Sequence, residues 1–362
     1  RHHRTRRTDR GQRARRAAAV MMRVVTLGEI MLRLSPPGFE RLLQSPTLSA
    51  TFGGAEANVA VSLAHFGLES VFLTCVPGHA IGAAAVAALA REGVRTDGIV
   101  RRGERLGIYF AETGASQRAS AVVYDRARSA FSECAADAFT WPDVLAGAQW
   151  FHVSGVTPAL GPGAARATAA ALAAAKQAGA TVSFDLNYRR TLWTEAEAQA
   201  TVRPLLAHVD LLIGNEEDLQ CVLGLAVSGV DVHAGRVAAG AYEAVCRRVS
   251  MEFGPRLVAI TLRESTSASD NGWGAVLWDA QTSRFHESQR YEVRVVDRIG
   301  AGDSFAAGII YGMLAGKVPE AALRFAVAAS ALKQTIPGDF NRVSVAEVER
   351  LAAGDASGRV QR

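Results

Sequence analysis

Residues 297–308 read DRIGAGDSFAAG, with Gly300, Ala301 and Gly302 directly before a carboxylate, Asp303, and a run of small and apolar residues able to form a helix. Upstream, YEVRVV at 291–296 alternates polar and apolar residues as a strand does. The segment reads strand, tight glycine turn, helix. A helix start leaves its first backbone N–H groups without partners, and residues lacking bulky side chains let a phosphate approach those donors. Asp303 then stands as a base beside an anion hole. Phosphoryl transfer needs both parts: donors for charge on the transferred group, and a carboxylate to accept the proton of the attacking hydroxyl. An N-cap aspartate after a glycine turn has the same spacing, so residues outside the motif must decide.

Asp297, Gly300, Ala301, Gly302, Asp303, Phe305 and Gly308 together resemble the C-terminal signature of the ribokinase-like (PfkB) carbohydrate kinases. FGGAEANVAVSLAHFG at 52–67 is similar to the glycine-pair motif of that family, with Gly53 and Gly54 opening a helix that carries Asn58. With both signatures in order, the resemblance covers about residues 22–350.

These residues need a scaffold. Short apolar runs, VVTLGE at 24–29, SVFLTCV at 70–76, WFHVSG at 150–155, TVSFDLN at 181–187, VDLLIGN at 209–215 and LVAITLR at 257–263, alternate with Ala-rich helical stretches. Runs buried on both faces and separated by helices indicate an α/β fold with a mostly parallel sheet covered on two sides. The resemblance implies the ribokinase-like three-layer α/β/α form. Ligands bind such sheets beyond the carboxyl ends of the strands, where Asn187, Asn215, Arg263 and Asp303 are expected. Residues 30–51 and 105–130 break the rhythm with MLRLS, LGIYFAE and ASAVVYDR and no intervening helix. They resemble the family's small β-sheet lid, which would keep water from the terminal phosphate. Residues 225–240 read as a surface insertion.

At 362 residues, one domain with a lid is the expectation, spanning 22–350 between an Arg-rich disordered extension at 1–21 and a C-terminal tail at 351–362. Residues 1–20 hold eight arginines and one aspartate, a net of +7, so the whole-chain +5 leaves about −2 for the rest. The tail has no apolar periodicity or signal-peptide core, and the start is expected at Met21 or Met22. No specific nucleic-acid partner follows from it. No window offers the roughly 18 uncharged apolar residues of a membrane span. Cys75, Cys134, Cys221 and Cys246 form no CxxC pair, which argues against a disulfide framework or zinc site and makes a reducing cytoplasm the simplest home.

GEIMLRLSPPGFERLLQSP at 28–46, DLNYRRTLW at 185–193, ITLRESTSASDNGWGAV at 260–276 and IPGDFN at 336–341 are similar to the 2-keto-3-deoxygluconate kinases of the family. A sugar acid calls for a cation, and arginine suits a planar carboxylate; Arg189 and Arg126 are the candidates. The resemblance sets Gly54 and Asn58 against substrate hydroxyls and Tyr109, Tyr124 and Arg126 on the lid side, though both tyrosines also suit packing within a sheet. It implies ATP and Mg2+, with a monovalent cation and a homo-oligomer among the family's options. The family's Asn-x-x-Glu element stands here as Asn215, Glu216, Glu217, Asp218. Its last position is one methylene short, so either Asp218 acts on the metal through water or Glu217 substitutes. Thr261 and Arg263 resemble a nucleotide-contacting strand end. FAVAASALKQT at 325–335 looks like the adenine-side helix, a small-residue face that plain helix packing also explains. The implied reaction is transfer to the 6-hydroxyl of 2-keto-3-deoxygluconate. Fructose, ribose, the galactonate epimer or a noncatalytic sugar-binding role are the alternatives.

Overall fold

The computed structural model describes residues 22–134, 136–226, 239–355 and 358. The Arg-rich extension, most of the 225–240 insertion and half of the C-terminal tail lie outside them. The chain begins with β1 (Arg23–Leu27), two strands of a small sheet, β2 (Met31–Ser35) and β3 (Ser49–Gly53), helix α1 (Ala55–His65) and β4 (Glu69–Leu73). A short pair, β5 (Cys75–Val76) and β6 (Val100–Arg101), flanks α2 (Ala80–Arg91), and the small sheet resumes with β7 (Gly107–Glu112) and β8 (Ala121–Asp125). Then come β9 (Trp150–Ser154), α3 (Pro162–Gln177), β10 (Thr181–Asp185), α4 (Glu195–Leu205), β11 (Leu211–Gly214), α5 (Glu216–Leu223) and α6 (Ala239–Phe253). The chain continues through β12 (Leu257–Ser265), β13 (Asp270–Asp279), β14 (Arg284–Glu287) and β15 (Tyr291–Arg294) to α7 (Ala301–Leu314), α8 (Pro319–Lys333) and α9 (Val345–Ala352).

The large sheet runs β14-β13-β12-β11-β10-β9-β1-β4, with β15 also on β13. From β4 to β12 every pairing is parallel, and β13 to β15 add an antiparallel flank. Successive residues of a strand point to opposite faces. Val24 therefore joins Val59, Leu63, Phe305 and Ile309 in one core, whereas Val25 and Leu27 join Phe151, Leu172 and Val202 in the other. That gives the three-layer form. The second sheet, β3-β2-β7-β8, is parallel at its centre and antiparallel at its edges, and forms the lid.

Two expectations change. β12 runs on to Ser265 because it pairs with β13 over its whole length, so Arg263 lies within a strand opposite Trp273 and not at its end. Cys75 and Cys134 form a disulfide, contrary to the reading of the cysteine spacing. They are 59 residues apart in sequence but face each other in one buried core. The Ala-rich face of α8 packs on α7, where a side chain at Gly308 would press on Ala326 and one at Gly312 on Ala322.

Candidate active site

The turn before α7 depends on Gly300, whose φ of 84° favours glycine and whose Cβ, if present, would collide with the carbonyl oxygen of Asp339. No side chain caps α7. The Ala301 N–H donates to the Arg298 carbonyl at 3.2 Å, so Ala301 closes the turn and is not an anion-hole donor. Among the described residues, the N–H groups of Gly302 and Asp303 have no acceptor in the fold. Gly302 is exposed, with open space where a side chain would be.

Asp303 Oδ2 accepts a 2.7 Å bond from Asn58 Nδ2. Desolvation pushes its carboxyl up to about 7, with Asp339 and Glu56 adding to the shift and the Asn58 bond and Arg189 opposing it. A base poised near neutrality combines adequate ionisation with proton affinity. Asn58 is fixed in turn: its Oδ1 accepts from Gly54 N at 3.3 Å, and Gly54 sits so close to the Glu29 carbonyl that a Cβ would overlap it. The glycine pair thus lets α1 start against β1 and aim Asn58 at the base.

Tyr109 and Tyr124 stand side by side on β7 and β8, ring centroids 5.9 Å apart. Burial, with Asp339 nearby, raises the Tyr109 hydroxyl well above its usual range. Arg126 stacks 5.5 Å from the Tyr124 ring centre, but its guanidinium donates twice to Glu29 Oε2. Arg189 is different: it donates to the Tyr188 carbonyl at 2.9 Å and has no carboxylate within ion-pair distance among the described residues. Among the described residues, Arg263 and Arg298 likewise have no ion-pair carboxylate.

Asn215 caps α5 by accepting from Asp218 N at 3.0 Å, while Asp218 Oδ2 accepts from Asn215 N at 3.0 Å and Oδ1 from Tyr188 N at 2.8 Å. Burial raises Asp218 to about 6 despite these bonds. Glu217 is exposed and meets Arg190 at 3.0 Å. Thr261 Oγ1 donates to the Gly214 carbonyl at 3.4 Å. Arg263 is exposed, near enough to Arg298 to help burial lower the latter's affinity for its proton.

The residues singled out from sequence, from Gly54 and Asn58 through Arg189 and Asn215 to Asp303, all border one cleft of about 610 Å³. A larger groove of about 990 Å³ under the lid loop shares Asp339 with it but not Asp303. Sequence reasoning missed several members of the cleft. Asp185 is buried and raised well above the usual carboxylate range by desolvation and by Asp218 and Asp303; its signal was its place at a strand end. Glu29, Glu56, Asp339 and Arg298 also reach the cleft; all four stood inside quoted motifs, but none was singled out as a site residue.

A base beside an open helix start, at the edge of a mostly parallel sheet under a β lid, defines a phosphotransferase of small alcohols. Residues 21–342 match the pfkB family carbohydrate kinase model, and the chain belongs to that family. It is similar to a 2-dehydro-3-deoxygalactonokinase of Haloferax volcanii, 33% identical over 92% of this chain and 98% of that protein. The crystal structure of a 2-dehydro-3-deoxygluconokinase from Thermotoga maritima is 50% identical, covers 92% of this chain and all of that one, and superposes with a TM-score of 0.88. A putative 2-keto-3-deoxygluconate kinase from Enterococcus faecalis is 28% identical over 94% of this chain and 99% of its own, with a TM-score of 0.85.

Proposed function

We propose that this kinase transfers the terminal phosphoryl group of ATP to the 6-hydroxyl of 2-keto-3-deoxygluconate (2-dehydro-3-deoxygluconate). The observation that carries the reading is Arg189, a cation without a carboxylate partner in the same cleft as the poised base Asp303. Arg189 binds the sugar-acid carboxylate, which directs the far end of the chain toward Asp303. Tyr109, Tyr124 and Arg126 cover the sugar from the lid, with Arg126 held in place by Glu29. Asp303 accepts the hydroxyl proton as the sugar O6–P bond forms and the bond to ADP breaks. The N–H groups of Gly302 and Asp303 stabilise charge on the transferred group.

Asn215, Thr261 and Arg263 are assigned to the nucleotide. Magnesium would neutralise its phosphates, and it retains several waters while using few protein carboxylates. The donor set fits that habit: no group of three or more His, Cys, Asp or Glu side chains among the described residues is clustered to hold an ion directly. Glu217, exposed and paired with Arg190, can act through water. Asp218 can do so only beside the two N–H groups it already accepts. A cytoplasmic location belongs to the same reading; among the described residues, no helix is long and apolar enough to cross a membrane.

Incubation with magnesium-ATP and 2-keto-3-deoxygluconate should give a product whose phosphorus couples to the C6 methylene protons in NMR. Phosphorylation at another carbon, or none, would overturn the assignment. The Haloferax relative's name favours a second reading, the galactonate epimer, which the same incubation with that sugar tests.

A further inference from the structure

Lys333, the last residue of α8, is completely buried. Lysine rarely is, because a buried ammonium must replace the hydrogen bonds of water. Here Nζ donates to the main-chain carbonyl of Asp297 at 3.1 Å and, more weakly, to that of Ile336 at 3.5 Å. These carbonyls belong to the two segments that hold the phosphoryl-binding turn. One runs from Asp297 to Gly300; the other carries Asp339, whose carbonyl closes over Gly300. The lysine stem packs on the turn itself, since a Cβ on Gly300 would lie 3.3 Å from Lys333 Cε.

The surrounding charges are paired. Arg33, from lid strand β2, reaches Asp297 and Asp339 at 2.7 Å each and is itself buried. Asp297 also accepts from Ile299 N at 3.1 Å and Gly338 N at 3.0 Å. Lys333 and Arg33 thus balance Asp297 and Asp339 beneath the turn. Burial works against the charged lysine, while Asp297, Asp339 and Asp303 support it and Arg33 opposes it.

We propose that Lys333 is a built-in cation beneath the phosphoryl-binding turn, a positioning residue that fixes the Gly302 and Asp303 donors and fills the place a monovalent ion would take. Main-chain carbonyls are what such an ion binds, and those under this turn already accept from Lys333. The monovalent cation that the family resemblance allows therefore does not fit here. Asp303 carries out the proton transfer; Lys333 touches neither substrate nor nucleotide and acts through the turn.

The inference rests on the kinase reading, so wild-type turnover is the control: no turnover on any sugar would fail that reading and leave this one aside from blame. With an active wild type, exchange of potassium for tetramethylammonium should leave its rate unchanged, and strong dependence on potassium would overturn the proposal. In tetramethylammonium buffer, Lys333→Ala should lose about 100-fold in kcat, the scale of one lost transition-state donor, with sugar KM nearly unchanged. Ammonium or potassium should restore much of that loss in Lys333→Ala, which leaves room for an ion, and little in Lys333→Met, which fills it. Full activity of Lys333→Ala without added ion, or a folded variant that no monovalent ion restores, would contradict the assignment. The wild-type ion exchange decides the matter even if the variants do not fold.

Discussion

Asp218 and Asp303 each stand third in a helix, in α5 and α7, and border the same cleft. At α5 the preceding Asn215 caps the helix, and the aspartate turns back to complete the reciprocal pair. At α7 the preceding residue is Gly300, left-handed and without a side chain, so nothing turns Asp303 back and the N–H groups beside it stay open. Asp218 accepts two backbone bonds, whereas Asp303 accepts one bond from a side chain, Asn58. The residue before each of these helices thus decides whether the acid at its third position turns back to cap the helix or stays clear of its start.

Variants can break this contrast. The largest effect is expected from Asp303→Asn, which should lower kcat by at least ~10² with sugar KM nearly intact. Its melting temperature should hold or rise. The folded carboxyl titrates near 7 against an ordinary 3.8, so the fold favours the protonated form and loses stability as pH rises between those values. A fall in melting temperature would mean that Asp303 is structural after all. For the wild type, the same shift sets an acid limb: the base must be ionised, so kcat should drop below pH 7 by about tenfold per unit, near a hundredfold at pH 5. A flat rate between pH 5 and 8 would remove Asp303 from the proton transfer.

Arg189→Ala should raise KM for a keto-deoxy acid by about tenfold or more, as expected for a charge-assisted bond worth about 1.5 kcal/mol. A neutral sugar should be unaffected. The smallest effect belongs to the other helix. Asp218→Ala removes the acceptor of Asn215 N and Tyr188 N, and should lower unfolding free energy by about 1–2 kcal/mol in chemical denaturation. A catalytic loss without a loss of stability would erase the distinction between the two aspartates.

Much of this was legible in the chain. The GAG turn, the glycine pair and the alternation of apolar runs with helices are local patterns, and local chemistry fixes them: left-handed backbone at Gly300, close approach at Gly54, burial on both faces of β9 to β11. What escaped was pairing at a distance. Arg33 meets partners 264 and 306 residues away, and Arg126 meets Glu29 across 97. Nothing in the neighbourhood of Arg126 distinguishes it from Arg189, yet one is neutralised by Glu29 and the other has no ion-pair carboxylate among the described residues. Arg263 was misplaced because a hairpin with β13 extends its strand, and hairpin length depends on the partner as much as on the strand.

The most direct measurement is ATP consumption with magnesium across a panel of 2-keto-3-deoxygluconate, its galactonate epimer, fructose, ribose and adenosine. The account predicts the highest kcat/KM on the keto-deoxy acids, with that preference lost in Arg189→Ala. Highest turnover on a neutral sugar would contradict the substrate and the role of Arg189, and silence across the panel would contradict the kinase itself.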